Sequence, residues 1–124
     1  MNYSIDDISH LTGLSKYTLR YYEKEGLTPK ISRNASGYRV YSEENLEWLN
    51  FLLKVKQTGM PIKKIKKFSK IMLDSTTIPE RKKMLLEHKQ NIINQQKELQ
   101  SSLEAINKKL KRYSRIQGKT TLEK

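Results

Sequence analysis

The stretch "TGLSKYTLRYYEKEGL", residues 12–27, predicts a sharp turn followed by a short helix. Gly13 can adopt the left-handed backbone that ends one helix, and Ser15 can cap the start of the next. Two short helices joined by a tight glycine turn form a helix-turn-helix, whose second helix enters the major groove of DNA. The sequence therefore predicts this motif.

The second helix of the motif has two chemically different faces. Ser15, Leu19 and Tyr22 share one face at helical spacing, and we expect them to pack inward. The other long side chains project away from that face: Lys16, Tyr17, Arg20, Tyr21 and Lys24. The helix is therefore expected to contribute both to a core and to an external surface.

Three helix starts share one capping chemistry, which predicts helices near residues 5–11, 16–25 and 43–57. At Ser4 the hydroxyl can cap the helix while Asp7 completes a capping box. Ser42 can cap the third helix, and the two glutamates after it put negative charge in the first turn, where it suits the helix dipole.

The segment "LTPKISRNASGYRVYS", residues 27–42, predicts a β-hairpin. Pro29 ends the preceding helix, and "RNASG" is turn chemistry between two short β-prone pieces at residues 30–33 and 38–41. An ordinary two-stranded connector also fits this pattern. Directly after a helix-turn-helix we favour a wing, with Arg33 and Arg39 near its tip and base.

A second pair of helices follows, separated by Gly59 and with Pro61 at the start of the next helix, where its missing N–H costs nothing. One face of this fourth helix is apolar: Ile62, Ile65, Phe68, Ile71 and Met72. The other is crowded with lysines: Lys63, Lys64, Lys66, Lys67 and Lys70. Such a lysine face is either solvated or contacts phosphates, and the sequence favours neither interpretation.

A last helix is predicted over residues 78–116 with an apolar residue at every seventh position. The predicted dimerisation residues are Leu85, Ile92, Leu99, Leu103, Ile106, Leu110 and Tyr113. The helix would be roughly 55–60 Å long, which is too long for the small preceding domain to cover. We therefore expect a homodimer, paired through this helix.

Composition narrows the possible functions. The 124 residues carry a net charge of +12, which suits a polyanion such as nucleic acid or an anionic membrane surface. Cysteine is absent, so this chain can form neither disulfides nor thiolate metal sites. With no signal peptide or membrane span expected, we predict a cytoplasmic protein. No catalytic constellation is evident, so we expect neither an enzyme nor a bound cofactor or metal.

The segments "YSIDDISHLTGLSKYTLRYYEKEGL" and "GYRVYSEENLEWLNFLLKVKQTGM" strongly resemble the MerR-type transcription regulators. The resemblance is close over residues 2–73, and the terminal helix extends it to about residue 116. It implies a mainly α fold: a winged helix-turn-helix DNA-binding domain at residues 1–75, then an antiparallel coiled-coil dimerisation helix at residues 76–116. Residues 117–124 are expected to be a flexible tail.

The resemblance also implies a mechanism. Such homodimers bind a pseudo-palindrome in double-stranded promoter DNA and distort it, so that RNA polymerase can engage both promoter elements. The residues carried over as DNA contacts are Lys16, Tyr17, Thr18, Arg20, Tyr21, Arg33, Tyr38 and Arg39, and Ser15 and Lys63 complete the predicted DNA-binding set. Because the chain stops soon after the coiled coil, we expect it to lack the large drug-binding domain of some relatives.

A small-molecule signal would then need another site, since thiol sensing cannot operate without cysteine. We expect it where the start of the last helix meets the helices of residues 46–72. The candidate effector-binding residues are Trp48, Phe51, Phe68, Met72 and His88, although each taken singly is better explained as part of the core or surface.

Two other function classes remain open. A basic module that binds nucleic acid or a membrane surface without specific readout would use the "KKIKKFSK" helix. A dimeric scaffold would not read an operator at all. Replacing Arg20 separates the scaffold from the main hypothesis, because a scaffold would be indifferent to that change.

Overall fold

The computed structural model describes the backbone of residues 1–122 and the side chains of residues 1–118. In chain order the elements are β1 (Asn2–Tyr3), α1 (Ile5–Thr12), α2 (Lys16–Lys24), β2 (Ser32–Arg33), β3 (Arg39–Ser42), α3 (Glu43–Gln57), α4 (Ile62–Ile71), a 3₁₀ turn (Ser75–Thr77) and α5 (Ile78–Leu122). The predicted class, a mainly α fold with a wing and a long C-terminal helix, is confirmed.

Local capping chemistry sets the helix starts as predicted. The Ser4 hydroxyl accepts from the Asp7 N–H at 3.0 Å, and the Asp7 carboxylate accepts from the Ser4 N–H at 3.0 Å. Ser15 accepts from the Thr18 N–H at 3.1 Å, and Ser42 accepts from the N–H of the third helical residue at 3.1 Å. Gly13 ends α1 with φ of 76°, the left-handed conformation that the tight turn requires.

The wing belongs to a three-stranded antiparallel sheet in the order β1-β3-β2. The predicted hairpin is present, but Arg33 lies directly opposite Arg39 in its register, so the two are level with each other rather than at the tip and the base as predicted. Strand β1 was not predicted; it places Tyr3 opposite Tyr41 on the other side of β3. The hairpin is therefore fixed at its base by a third strand from the N-terminus.

The chain divides into two compact units, Met1–Met84 and Leu85–Lys124. The first unit contains the core, in which Ile8, Leu19, Leu52 and Ile65 are at most 2% exposed. The indole N–H of Trp48 donates to the carbonyl of Leu27 at 2.9 Å, so the buried ring has its polar atom satisfied. This bond ties α3 to the end of the segment that carries α2.

The second unit is formed by α5 from Leu85 onward, and most of the predicted dimerisation residues in it are exposed. Leu99 is 70% exposed, Ile106 57% and Leu110 56%. Ile92 is the member of that set that is only partly exposed. No helix within residues 1–122 combines the length and the apolar composition that a membrane span requires.

Three details differ from expectation. Ser15 is exposed rather than packed inward, because its hydroxyl serves as the helix cap. Ile62 is 41% exposed, so the apolar face of α4 begins at Ile65. The last helix continues to Leu122, past the predicted end at residue 116, so the predicted tail is helical as far as residue 122. Residues 123 and 124 of that tail lie outside the described range.

Candidate DNA-binding surface

The outer face of α2 presents aromatic and basic side chains to solvent. Tyr17 is 77% exposed and Tyr21 is 48% exposed, and both stand beside the exposed Arg20 and Lys24. The opposite face is buried through Leu19, as predicted. Two neighbouring exposed tyrosines are suited to contact a partner, and the basic residues among them suit an anionic one.

Two grooves join this helix face to the wing. One, of about 450 Å³, is lined by Arg20 together with Arg33, Tyr38 and Arg39 of the wing. The other, of about 430 Å³, is lined by Tyr17, Arg20, Tyr21, Lys24 and Arg39. Because Arg20 and Arg39 line both grooves, α2 and the wing form one continuous surface.

The wing tip is shaped by its own turn. The Asn34 side chain accepts from the N–H groups of Ser36 and Tyr38, both at 3.0 Å. Gly37 has φ of 83°, which a side chain would disfavour. Arg33 donates from Nη1 to the Gly37 carbonyl at 2.9 Å, and Tyr38 is left 72% exposed. The turn therefore fixes a basic and an aromatic side chain at the tip.

Arg39 has a structural partner that the sequence did not reveal. Its Nε donates to the Glu23 carboxylate at 2.7 Å, and the two side chains are 19% and 14% exposed. The second Glu23 oxygen accepts from the Ile31 N–H at 2.7 Å. Glu23 thus ties the wing to α2, and Arg39 can offer DNA only the guanidinium N–H groups that this bond leaves over.

Lys16, at the start of α2, also has an acidic partner. Its ammonium lies 2.5 Å from the Asp6 carboxylate, with both side chains well exposed. The hydrogen bond and charge of Lys16 hold the pKa of Asp6 below its ordinary value. A phosphate that bound Lys16 would therefore compete with Asp6.

The remaining predicted contacts lie in different places. Ser15 and Thr18 form the N-cap of α2, where the Ser15 hydroxyl also donates to the Thr18 hydroxyl at 2.9 Å. Lys63 is exposed in the first turn of α4 and lines neither of the two grooves. The structure therefore brings the α2 and wing residues together but leaves Lys63 apart from them.

Three residues of this surface were missing from the predicted set. Lys24 could have been included, since it lies one helical turn beyond Arg20 and Tyr21 on the same face. No local spacing in the sequence marks Glu23 or Asp6 as part of this surface. Their partners, Arg39 and Lys16, lie 16 and 10 positions away in the sequence and meet them only through the tertiary fold.

The predicted effector-binding residues include an aromatic cluster in the first unit. Trp48 and Phe68 stack with ring centroids 5.6 Å apart and planes inclined by 8°, and Phe51 lies 5.9 Å from Trp48. Trp48 and Phe68 are buried in the core, whereas Phe51 is 38% exposed. Met72 is partly buried against the core, and His88 is buried in the second unit. Their role in sensing stays a prediction.

Among the side chains of residues 1–118, no group of three or more histidine, cysteine, aspartate or glutamate residues is placed to hold a metal ion. The exposed charge on the surface formed by α2 and the wing is mainly positive. This arrangement suits the binding of a polyanion by charge and by stacking or apolar contact from the tyrosines.

Comparisons with known proteins agree with that chemistry. The profile of the MerR HTH family regulatory protein matches residues 3–70. An uncharacterised HTH-type transcriptional regulator of Haemophilus influenzae is 35% identical over 119 residues, which cover 95% of this chain and 88% of the relative.

Solved structures are also similar. The crystal structure of HiNmlR, a MerR family regulator lacking the sensor domain and bound to promoter DNA, has a TM-score of 0.83 at 35% identity, covering 93% of this chain and 92% of that one. A MerR family regulator from Listeria monocytogenes has a TM-score of 0.85 at 28% identity, covering 90% and 86%. Because the family profile covers more than half of the sequence, this chain belongs to the MerR family of helix-turn-helix transcriptional regulators.

Proposed function

We propose that this regulator acts as a homodimer on a pseudo-palindromic operator within a promoter and activates transcription by distorting the DNA. The observation that carries the proposal is the continuous surface of α2 and the wing, in which Arg20 and Arg39 line both grooves. A solved relative, HiNmlR, is bound to promoter DNA, which supports the same partner here.

In this proposal α2 lies in the major groove and the wing contacts the adjacent backbone. Arg20 makes base or phosphate contacts from the middle of the helix, and Tyr17 and Tyr21 pack against sugars and base edges. Lys16 and the N-cap residues Ser15 and Thr18 contact a phosphate at the helix start, where backbone N–H groups also favour an anion. Arg33 and Tyr38 contact the backbone from the wing tip, with the remaining donors of Arg39 behind them. Lys63 would make a separate phosphate contact.

In this proposal the two copies pair through α5. The exposed apolar side chains of the predicted dimerisation set lie at a seven-residue repeat, and pairing two such helices would bury them. Burial of apolar groups is worth about 0.8 kcal/mol for each CH₂ removed from water. A dimer would also place one DNA-binding unit on each of the two operator half-sites, since protein and operator share two-fold symmetry.

Distortion is the step that would connect binding to transcription. Two heads joined by a stiff helix pair hold their half-sites at a fixed separation, so a change in that separation bends or untwists the DNA between them. RNA polymerase would then respond to the altered promoter shape. A small-molecule effector could bias this equilibrium only if it bound the two dimer conformations with different affinity.

The membrane-surface alternative is disfavoured by the packing of α4. A helix lying in a membrane interface buries its apolar face in lipid. In α4 that face is used in the core, where Ile65 is 0% and Phe68 8% exposed. The lysines of α4 alone would give only a salt-sensitive electrostatic attraction to an anionic membrane surface.

Fluorescence anisotropy with the DNA immediately upstream of the gene tests the proposal. Arg20→Ala should weaken operator binding by about 1–3 kcal/mol if Arg20 contacts a base. A loss of equal size on random duplex would make Arg20 a phosphate anchor. Lys54→Ala is the matched control, because Lys54 is exposed on α3 and lines neither groove.

If Arg20→Ala binds the operator as tightly as wild type, operator readout by α2 is refuted and a scaffold becomes the better hypothesis. The distortion is tested separately, by energy transfer between dyes at the two ends of the operator duplex. An end-to-end distance that does not change when protein binds would exclude activation by DNA bending.

A further inference from the structure

A third groove of about 410 Å³ lies away from the surface of α2 and the wing, between the segment that follows α2 and one side of α4. Its lining includes three lysines, Lys30, Lys66 and Lys70, and two hydroxyl-bearing residues, Thr28 and Ser69. All of them belong to the first compact unit. None of them lines either groove of the DNA-binding surface.

The groove is strongly positive. Lys30 and Lys70 are exposed and Lys66 is half-buried, and no carboxylate is among the lining residues. Glu25, outside the groove, lies 3.5 Å from the Lys66 ammonium, which leaves other N–H donors of that ammonium available. Three like charges around one concavity repel each other, and binding an anion there would relieve the repulsion.

Two hydroxyl groups accompany the lysines. Thr28 is 6% exposed and Ser69 is 4% exposed, so both side chains are buried in the wall of the groove. Among the side chains of residues 1–118, neither hydroxyl has a protein hydrogen-bond partner, and neither oxygen is sealed from water. Both hydroxyls are therefore free to donate to a ligand that enters the groove and displaces water.

We propose that this groove binds a phosphate group, with the hydroxyls of Thr28 and Ser69 donating to its oxygens and Lys30, Lys66 and Lys70 balancing its charge. A tetrahedral phosphate offers enough acceptor oxygens for both hydroxyls and the ammonium groups at once. Lysine suits this role because its ammonium is a compact charge with three rotatable donors. The phosphate belongs either to a small phosphorylated molecule or to a nucleic-acid backbone.

Two-dimensional NMR of the full-length protein titrated with potassium phosphate tests the site, with ionic strength held constant by chloride. The backbone amides around Thr28 and Ser69 should shift and saturate. Lys70→Gln should weaken the apparent affinity about tenfold, the size expected from losing one charge-assisted hydrogen bond. Lys67→Gln is the matched control, because Lys67 is on the same helix but pairs with Glu80 at 2.9 Å and does not line the groove.

Ser69→Ala separates ligand contact from general electrostatics, because it keeps every charge. We expect it to bind phosphate several-fold more weakly while its thermal unfolding midpoint stays close to that of wild type. Shifts that never saturate, or equal affinity in wild type, Lys70→Gln and Ser69→Ala, would overturn the proposal.

Adding duplex DNA to the phosphate-bound protein identifies the source of the phosphate. Release of phosphate from the wild-type groove by DNA would assign it to a nucleic-acid backbone. Phosphate retained at saturating DNA would assign the groove to a small phosphorylated ligand, which can bind while the regulator is on its operator. This readout does not depend on Arg20, so failure of the phosphate site and failure of operator recognition are distinguishable.

Discussion

Glu23→Gln should lower the free energy of unfolding far more than the position of Glu23 on a short surface helix suggests. The carboxylate accepts from Arg39 Nε and from the Ile31 N–H, both at 2.7 Å, and is only 14% exposed. The amide has one acceptor oxygen in place of two, so one of the two bonds is lost, and the mostly buried Arg39 guanidinium loses its counter-ion. Hydrogen bonds to charged groups contribute about 1.5–3 kcal/mol each, and breaking a buried pair costs about 3–5 kcal/mol. Since both side chains retain some solvent contact, we expect a loss of about 2–4 kcal/mol.

Urea denaturation followed by far-ultraviolet circular dichroism measures this loss at a fixed protomer concentration, because the proposed dimerisation would make the apparent stability concentration-dependent. Glu25→Gln is the matched control: it removes the same charge nearby, but Glu25 faces Lys66 at 3.5 Å and is 36% exposed. Its effect should stay within about 0.5 kcal/mol. If Glu23→Gln is as mild as the control, Glu23 does not hold the wing to α2. Operator affinity, which should fall with the wing displaced, gives a second measurement.

Three further predictions concern α5, the core and the turn at Gly13. The double variant Leu99→Glu, Leu103→Glu should be monomeric in light scattering, because both side chains are exposed at the predicted pairing positions. A double variant that is still dimeric would refute pairing through α5. The Tyr41 hydroxyl is buried with no hydrogen-bond partner within the described residues, so Tyr41→Phe should raise stability by about 1 kcal/mol at neutral pH. Burial raises the pKa of Tyr41 above 10.0, so the folded state keeps this proton to a higher pH than the unfolded state does. The free energy of unfolding should therefore fall above pH 10.0 in wild type and fall less steeply in Tyr41→Phe. Identical alkaline unfolding curves would contradict this. Gly13→Ala should cost about 1–2 kcal/mol in thermal unfolding, since φ is 76° there, whereas Gly118→Ala within α5 should leave stability unchanged or slightly higher.

Local chemistry explains why much of the fold could be predicted from the sequence. The caps at Ser4, Ser15 and Ser42 each depend on a partner three positions away, and all three are present. The turn at Gly13 and the burial of Leu19 and Tyr22 likewise follow from spacing within one helix. These features are visible in the sequence because their physical causes span no more than about seven residues.

Features that depend on distant contacts were missed. Strand β1 has only two residues, and what makes it a strand is its pairing of Tyr3 with Tyr41. The bond between Glu23 and Arg39 spans 16 positions, and nothing in the neighbourhood of Glu23 distinguishes it from a solvated charge. The end of α5 was placed too early; Gly118 is not among the glycines with positive φ, so it does not end the helix. The candidate surface was therefore predictable in its exposed members but not in the acids that position them.

The hydrogen bond from Trp48 to the Leu27 carbonyl has a practical consequence for measurement. The sequence contains a single tryptophan, and its indole is 6% exposed, stacked on Phe68 and bonded to the segment just beyond α2. Its intrinsic emission should therefore be blue-shifted in the native protein and move to longer wavelength when the first unit unfolds. In the proposed dimer, separating the two copies along α5 without unfolding the first unit should leave that emission unchanged. Native tryptophan fluorescence would then distinguish unfolding of the first unit from dissociation of the proposed dimer, without any label.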